Sequence, residues 1–203
     1  MWVKLCGLRT EADLDAAIAA GADAVGFVLV DSPRRVDDAA ARRLSLRAAG
    51  RVRTVGVFRR LDPEALAHSR SLGLDLAQGV PDGVGPGGGV LAVAGDGPDL
   101  VTRVAALETG PLLIDGPRFG SGTAADWGRV AAVARERAVI LAGGLHAGNV
   151  HEAIERVRPC GVDVSSGIEV SPGEKCPERM RAFVHAARAA GHHAPSTAYL
   201  ERP

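Results

Sequence analysis

Apolar positions fall in short unbroken runs, separated by longer stretches in which they recur every three or four residues. Unbroken runs read as strands buried on both faces, and the 3.6-residue period reads as helix. Strands are therefore expected at 3–6, 24–30, 54–58, 74–78, 90–94, 112–115, 139–142 and 161–165. Helices are expected at 10–20, 37–48, 63–72, 98–107, 125–135, 147–157 and 177–190. Local signals agree with the first helix: Thr10 can cap its start with Asp13 at the capping-box position, and Gly21 can stop it. Pro63 suits the first turn of the third.

Eight strands, each followed by a helix or a helix-sized segment, give a repeat of about 25 residues. That spacing points to the α/β class and to a single-domain (β/α)8 TIM barrel over residues 1–190. An open doubly wound sheet is the rival, but it usually has five or six strands. One unit is irregular. Residues 80–89 read Val-Pro-Asp-Gly-Val-Gly-Pro-Gly-Gly-Gly, which cannot sustain a helix. A loop is expected there in place of the helix after strand four. Residues 191–203 are polar and Pro-bearing, and are expected to form a poorly ordered tail.

Composition narrows the function. Hydrophobic residues make up 46% and charged residues 24% of 203, which excludes a disordered chain. Lys+Arg and Asp+Glu are 24 each, so no cationic surplus is available for nucleic acid. Aromatic content of 3% argues against recognition by stacking. No apolar run is long enough to span a membrane. The N-terminal Met-Trp-Val-Lys-Leu-Cys-Gly lacks the layout of a signal peptide. Three cysteines make no disulfide framework, and a cytoplasmic location is expected. The six histidines show no metal spacing, so no metal site is expected from them.

In such a barrel the chemistry lies at the C-terminal ends of the strands. Cys6 and Asp115 end strands one and six, and each is a candidate for catalysis or for a merely structural place. Gln78 ends strand four. Gly143 and Gly144 follow strand seven, and Ser165, Ser166 and Gly167 follow strand eight. Small residues there let backbone N–H groups approach a phosphate closely. Arg34, in the loop after strand two, can meet a carboxylate. Asp163, inside strand eight, reads as an interior polar residue with a structural partner. Cys160 and Cys176 carry no signal.

The chain resembles the phosphoribosylanthranilate isomerase family. The resemblance rests on Val3-Lys-Leu-Cys-Gly-Leu8, Gly21-Ala-Asp-Ala-Val-Gly-Phe-Val28, Ser32-Pro-Arg34, Val55-Gly-Val-Phe58 and Leu113-Ile-Asp115. It continues through Gly120-Ser-Gly122 with Asp126-Trp127, Leu141-Ala-Gly-Gly-Leu145, Asn149-Val150, Gly161-Val-Asp-Val-Ser-Ser-Gly-Ile-Glu169 and Pro172-Gly173. It implies a cofactor-free barrel that performs an Amadori rearrangement on a small phosphoribosyl substrate. Asp115 would be the general acid and Cys6 the general base. Arg34 would meet the anthranilate carboxylate, with Gln78 and Gly122 also at the substrate and the two Gly/Ser loops on its phosphate. The base must become a thiolate, so a lowered Cys6 pKa, or a ready outlet for its proton, is expected. No nucleic-acid or membrane partner is implied, and the chain would act as a monomer or homodimer. Two positions depart from the family's pattern. Val80 stands where a histidine ends strand four, and Ala92 where strand five carries a lysine. Both are expected to reshape one side of the site. The same isomerisation of a different phosphoribosylamine, or a non-catalytic phosphosugar-binding paralogue, are the alternative functions.

Overall fold

The computed structural model describes residues 1–82, 90–105, 107, 112–116 and 123–190. Eight parallel strands pair in chain order: β1 (Trp2–Cys6), β2 (Ala24–Val28), β3 (Arg53–Leu61), β4 (Leu76–Pro81), β5 (Val90–Gly95), β6 (Leu112–Asp115), β7 (Val139–Leu141) and β8 (Gly161–Val164). The ring closes where β8 pairs with β1, with Lys4 opposite Asp163. This closure removes the open-sheet alternative. Helices α1 (Glu11–Ala19), α2 (Asp38–Ala48), α3 (Pro63–Ser71), α4 (Leu100–Ala105), α5 (Trp127–Ala134), α6 (Val150–Val157) and α7 (Pro177–Ala189) follow their strands. A 3-10 turn (Ser166–Ile168) and a hairpin, β9 (Glu169–Ser171) with β10 (Glu174–Lys175), lie between β8 and α7. Among the described residues, no helix is long and apolar enough to cross a membrane.

The helix starts are held as the sequence suggests. Thr10 accepts from the Asp13 N–H, and the Asp13 carboxylate reaches back to the Thr10 N–H, completing the capping box. Asp37, Asp62 and Asp126 cap α2, α3 and α5. Each such cap is worth about 1 kcal/mol.

Two strands outrun their expected length. β3 continues to Leu61 and β4 to Pro81, and they pair past an irregularity as Arg60 with Val80 and Leu61 with Pro81. Val80 and Pro81 are therefore strand, not the start of a loop. Pro81 is tolerated as the last strand residue, where the missing N–H costs least. The expected loop at 83–89, Gly122 and the expected tail at 191–203 lie outside the described residues.

Side-chain parity organises the core. Alternate strand residues point into the barrel or out toward the helices. Trp2, Val55, Leu76, Leu91, Leu113 and Ile140 belong to the inner cluster. Their neighbours Val3, Leu112, Ile114, Val139 and Leu141 belong to the cluster between barrel and helices. Continuing the inward parity to the C-terminal ends of the strands predicts which residues floor the barrel mouth.

Candidate active site

Those residues are Cys6, Val28, Val57, Gln78, Val93, Asp115 and Ser165, and all line one cavity of about 400 Å3. Loop residues 30–34 after β2, with Phe58, Arg59 and Val80, complete much of its wall. The volume suits a small organic ligand, since such sites run ~300–1,000 Å3. Between β2 and β5 the strands contribute Val28, Val57, Phe58, Val80 and Val93, an apolar slot flanked by Arg59 and Gln78 and facing polar groups on β1, β6 and β8. Gln78 is 7% exposed, and its Oε1 has no hydrogen-bond partner. A buried acceptor left open toward a cavity is an available ligand contact.

Cys6 sits on top of a buried ionic layer. Lys4, one inward position below it on β1, is wholly enclosed and donates to Asp163 Oδ1 at 2.9 Å. Asp163 is thus the interior polar residue with a structural partner expected from the sequence. Burial pushes the Cys6 thiol up from its ordinary pKa, and Lys4 opposes that push. The expectation of a lowered value is therefore corrected: removing the sulfur from water outweighs the nearby cation. The Lys4 ammonium is itself held above the ordinary lysine range: burial lowers it, but Asp163 and Cys6 together raise it further.

A second buried charge cluster joins the β2 loop to the chain after β8. Arg34 donates from Nε and Nη2 to the two oxygens of Glu169, each at 2.8 Å. Lys175 Nζ donates to Glu169 Oε1 at 2.7 Å, and to the Ser165 carbonyl at 3.0 Å. Burial works to raise the Glu169 carboxyl, but these hydrogen bonds prevail and hold it below the usual range. Ser165 Oγ in turn donates to the Cys6 carbonyl at 3.2 Å. Arg34 lies over Gly7, whose φ is +78°; a Cβ there would come within 2.7 Å of Arg34 Cδ.

Asp115 Oδ1 accepts from the Gly116 N–H at 2.8 Å. Gly143, with φ +82°, packs against this turn: a Cβ on it would lie 2.6 Å from the Gly116 nitrogen and 3.1 Å from Asp115 Oδ1. Gly167 would clash harder, at 2.0 Å from the Leu145 carbonyl oxygen. The loops after β7 and β8 are therefore in backbone contact. Asn149 steadies the first of them, donating to the Gly144 carbonyl and accepting from the His146 N–H.

The structure so brings Cys6, Arg34, Gln78, Asp115 and Ser165 onto one cavity. Gly143, Gly144, Ser166 and Gly167 do not line it; they lie in the adjoining β7 and β8 loops. The sequence reading missed Lys4, Glu169 and Lys175. A lysine inside an apolar strand, opposite an aspartate inside another, was the available signal for the first.

A model of the family described as N-(5'phosphoribosyl)anthranilate (PRA) isomerase matches residues 99–186. A Chromohalobacter salexigens protein named N-(5'-phosphoribosyl)anthranilate isomerase is 44% identical over 195 residues, covering 90% of this chain and 92% of its own. The chain belongs to the phosphoribosylanthranilate isomerase family. The isomerase of that name from Thermotoga maritima superposes with a TM-score of 0.83 at 30% identity, covering 93% of this chain and 99% of its own. A phosphoribosylanthranilate isomerase solved in complex with reduced 1-(o-carboxyphenylamino)-1-deoxyribulose 5-phosphate gives 0.78, again at 30% identity and with the same coverage. The two departures from the isomerase family's pattern fall differently. Val80 does line the cavity. Ala92 has outward parity and packs against the barrel–helix layer, so its substitution does not strip a polar group from the cavity wall.

Proposed function

We propose that the protein converts N-(5-phosphoribosyl)anthranilate to 1-(2-carboxyphenylamino)-1-deoxyribulose 5-phosphate, the aldose–ketose isomerisation of tryptophan biosynthesis. The observation that carries the reading is that a thiol from β1 and a carboxyl from β6 line one cavity, in a chain of this family.

In this reading protonated Asp115 donates to the furanose ring oxygen. The C1–O bond breaks and leaves an iminium between C1 and the anthranilate nitrogen. Cys6, as thiolate, takes the proton from C2. The C2–H electron pair becomes the C1=C2 double bond, and the nitrogen regains its lone pair. Proton loss from the C2 hydroxyl and protonation of C1 then give the ketone. Acid and base each contribute ~10²–10⁴-fold. The cation on the iminium nitrogen favours the thiolate when it is needed, against the opposing pull of the substrate phosphate.

The loops after β7 and β8, with Gly143, Gly144, Ser165, Ser166 and Gly167, are the phosphate end. The apolar slot takes the aromatic ring, and Arg34 and Gln78 hold polar groups near it. Arg34 keeps Glu169 as its partner, which fixes the plane of the guanidinium for a carboxylate. The substrate is a small molecule in every version of this reading.

The test is turnover of freshly made phosphoribosylanthranilate, followed as loss of anthranilate fluorescence. Wild type should turn over, and Cys6→Ala and Asp115→Ala should each lose at least ~10²-fold in kcat. A folded wild type that binds the product but does not turn over would sink the proposal.

A further inference from the structure

Cys6 is buried in a way that opposes its role as a base. The base must exist as a thiolate, yet its surroundings keep the proton on sulfur. Something fixed in the barrel has to favour the anion, and the groups beside the sulfur are few. Lys4 faces it from β1, Asp163 from β8, Lys175 from β10, and Arg34 from the loop after β2. Of the cations, Lys4 acts most strongly toward the thiolate.

The packing places this ammonium by construction. Lys4 and Cys6 share the inward parity of β1, so the amine rises from directly below the thiol. Gly26 on β2 stands in register with Cys6. A Cβ built on Gly26 would lie 2.7 Å from Cys6 Sγ and 3.1 Å from Lys4 Nζ. Sulfur and nitrogen therefore both press on one point, and are less than about 6 Å apart. The missing side chain of Gly26 leaves the space that both of them border.

Burying an ammonium costs several kcal/mol unless it is paired and its other donors are used. Asp163 satisfies one donor of three. A purely structural pair would end there, and an apolar pair of the same volume would serve the barrel equally well. Here the next group beside the ammonium is the reactive sulfur, less than about 6 Å away.

We infer that Lys4 is a positioning residue for the proposed isomerase reaction, its buried ammonium stabilising the Cys6 thiolate that takes the C2 proton. Lys4 keeps its own proton throughout; the proton from C2 goes to Sγ, and Asp163 holds the ammonium in place. The inference rests on the isomerase reading for the step it serves, though the thiol chemistry can be measured without substrate.

The experiment is the pH dependence of Cys6 alkylation by iodoacetamide, read by mass spectrometry, in wild type, Lys4→Met and Lys4→Met/Asp163→Asn. The double variant leaves no uncompensated buried charge, so it guards against a single variant that fails to fold. Cys6 should react more slowly at pH 8, at least about fivefold in folded Lys4→Met and by a smaller factor in the double variant, where loss of the Asp163 charge offsets part of the effect, with the levelling-off of its rate moved to higher pH in both. Cys176 serves as the unaffected reference. With phosphoribosylanthranilate, kcat should fall about tenfold or more while KM stays within about twofold. A folded double variant with an unchanged Cys6 alkylation profile would overturn the inference. Absence of turnover by wild type, with the alkylation shift intact, would instead refute only the isomerase reading.

Discussion

Replacing Glu169 by Gln removes one negative charge from the cluster that ties the loop after β2 to the chain after β8. Arg34 would lose a carboxylate that accepts two 2.8 Å hydrogen bonds, and Lys175, whose side chain is wholly enclosed, would lose its 2.7 Å partner. Breaking a buried pair by deleting one partner typically costs 3–5 kcal/mol, because the remaining charge is stranded. Two cations are stranded here, so the loss should lie in the upper part of that range. For a chain near 200 residues this lowers Tm by on the order of 10 °C. Urea unfolding followed by circular dichroism reads the change. Glu169→Gln/Lys175→Met should recover part of it, by removing the enclosed ammonium.

The pH dependence has a definite sign. The Glu169 carboxyl is held below its unfolded value, so its stabilisation is complete above about pH 4.5. It is lost as the pH falls through the depressed folded value. The variant should therefore resemble wild type most closely in acid. A Glu169→Gln protein within 1 kcal/mol of wild type at neutral pH would refute the argument that this cluster ties Arg34 to the chain after β8.

Two further outcomes follow from the geometry. Gly167→Ala would force a Cβ to within 2.0 Å of the Leu145 carbonyl oxygen; the β7 and β8 loops must separate, and KM for the phosphorylated substrate should rise at least about tenfold with kcat less affected, checked by steady-state kinetics. Because burial holds the Cys6 proton, wild-type Cys6 should react with iodoacetamide more slowly than an ordinary thiol at pH 7, gaining about tenfold per pH unit to pH 9 or beyond; a plateau below pH 8 would contradict that assignment.

The elements were legible because burial on both faces leaves an unbroken apolar run, and because the caps are local. Thr10 and Asp13 are three residues apart, and their hydrogen bonds need nothing else from the fold. Strand ends were less legible. β3 and β4 run past Phe58 and Gln78 because each supplies the other's hydrogen bonds, and pairing between strands leaves no mark on either alone. Likewise α4 is shorter than the apolar period suggests, spanning Leu100–Ala105.

Chain order alone determined that Cys6, Gln78, Asp115 and Ser165 lie at the C-terminal ends of strands, and a closed ring of parallel strands brings such ends to one mouth. Sequence position also assigned Asp163 a partner without saying which. Only the tertiary structure decided that the partner is Lys4, since residues 159 apart meet only where β8 closes on β1. It alone joined Arg34 to Glu169, 135 positions away. It also decided that Val80 faces the cavity while Ala92 does not, because inward or outward parity is counted from the ring's closure. The direction of the Cys6 shift belongs to the same class. Desolvation and the field of an enclosed ammonium are properties of the space around an atom, and that space is built by residues distant in the chain.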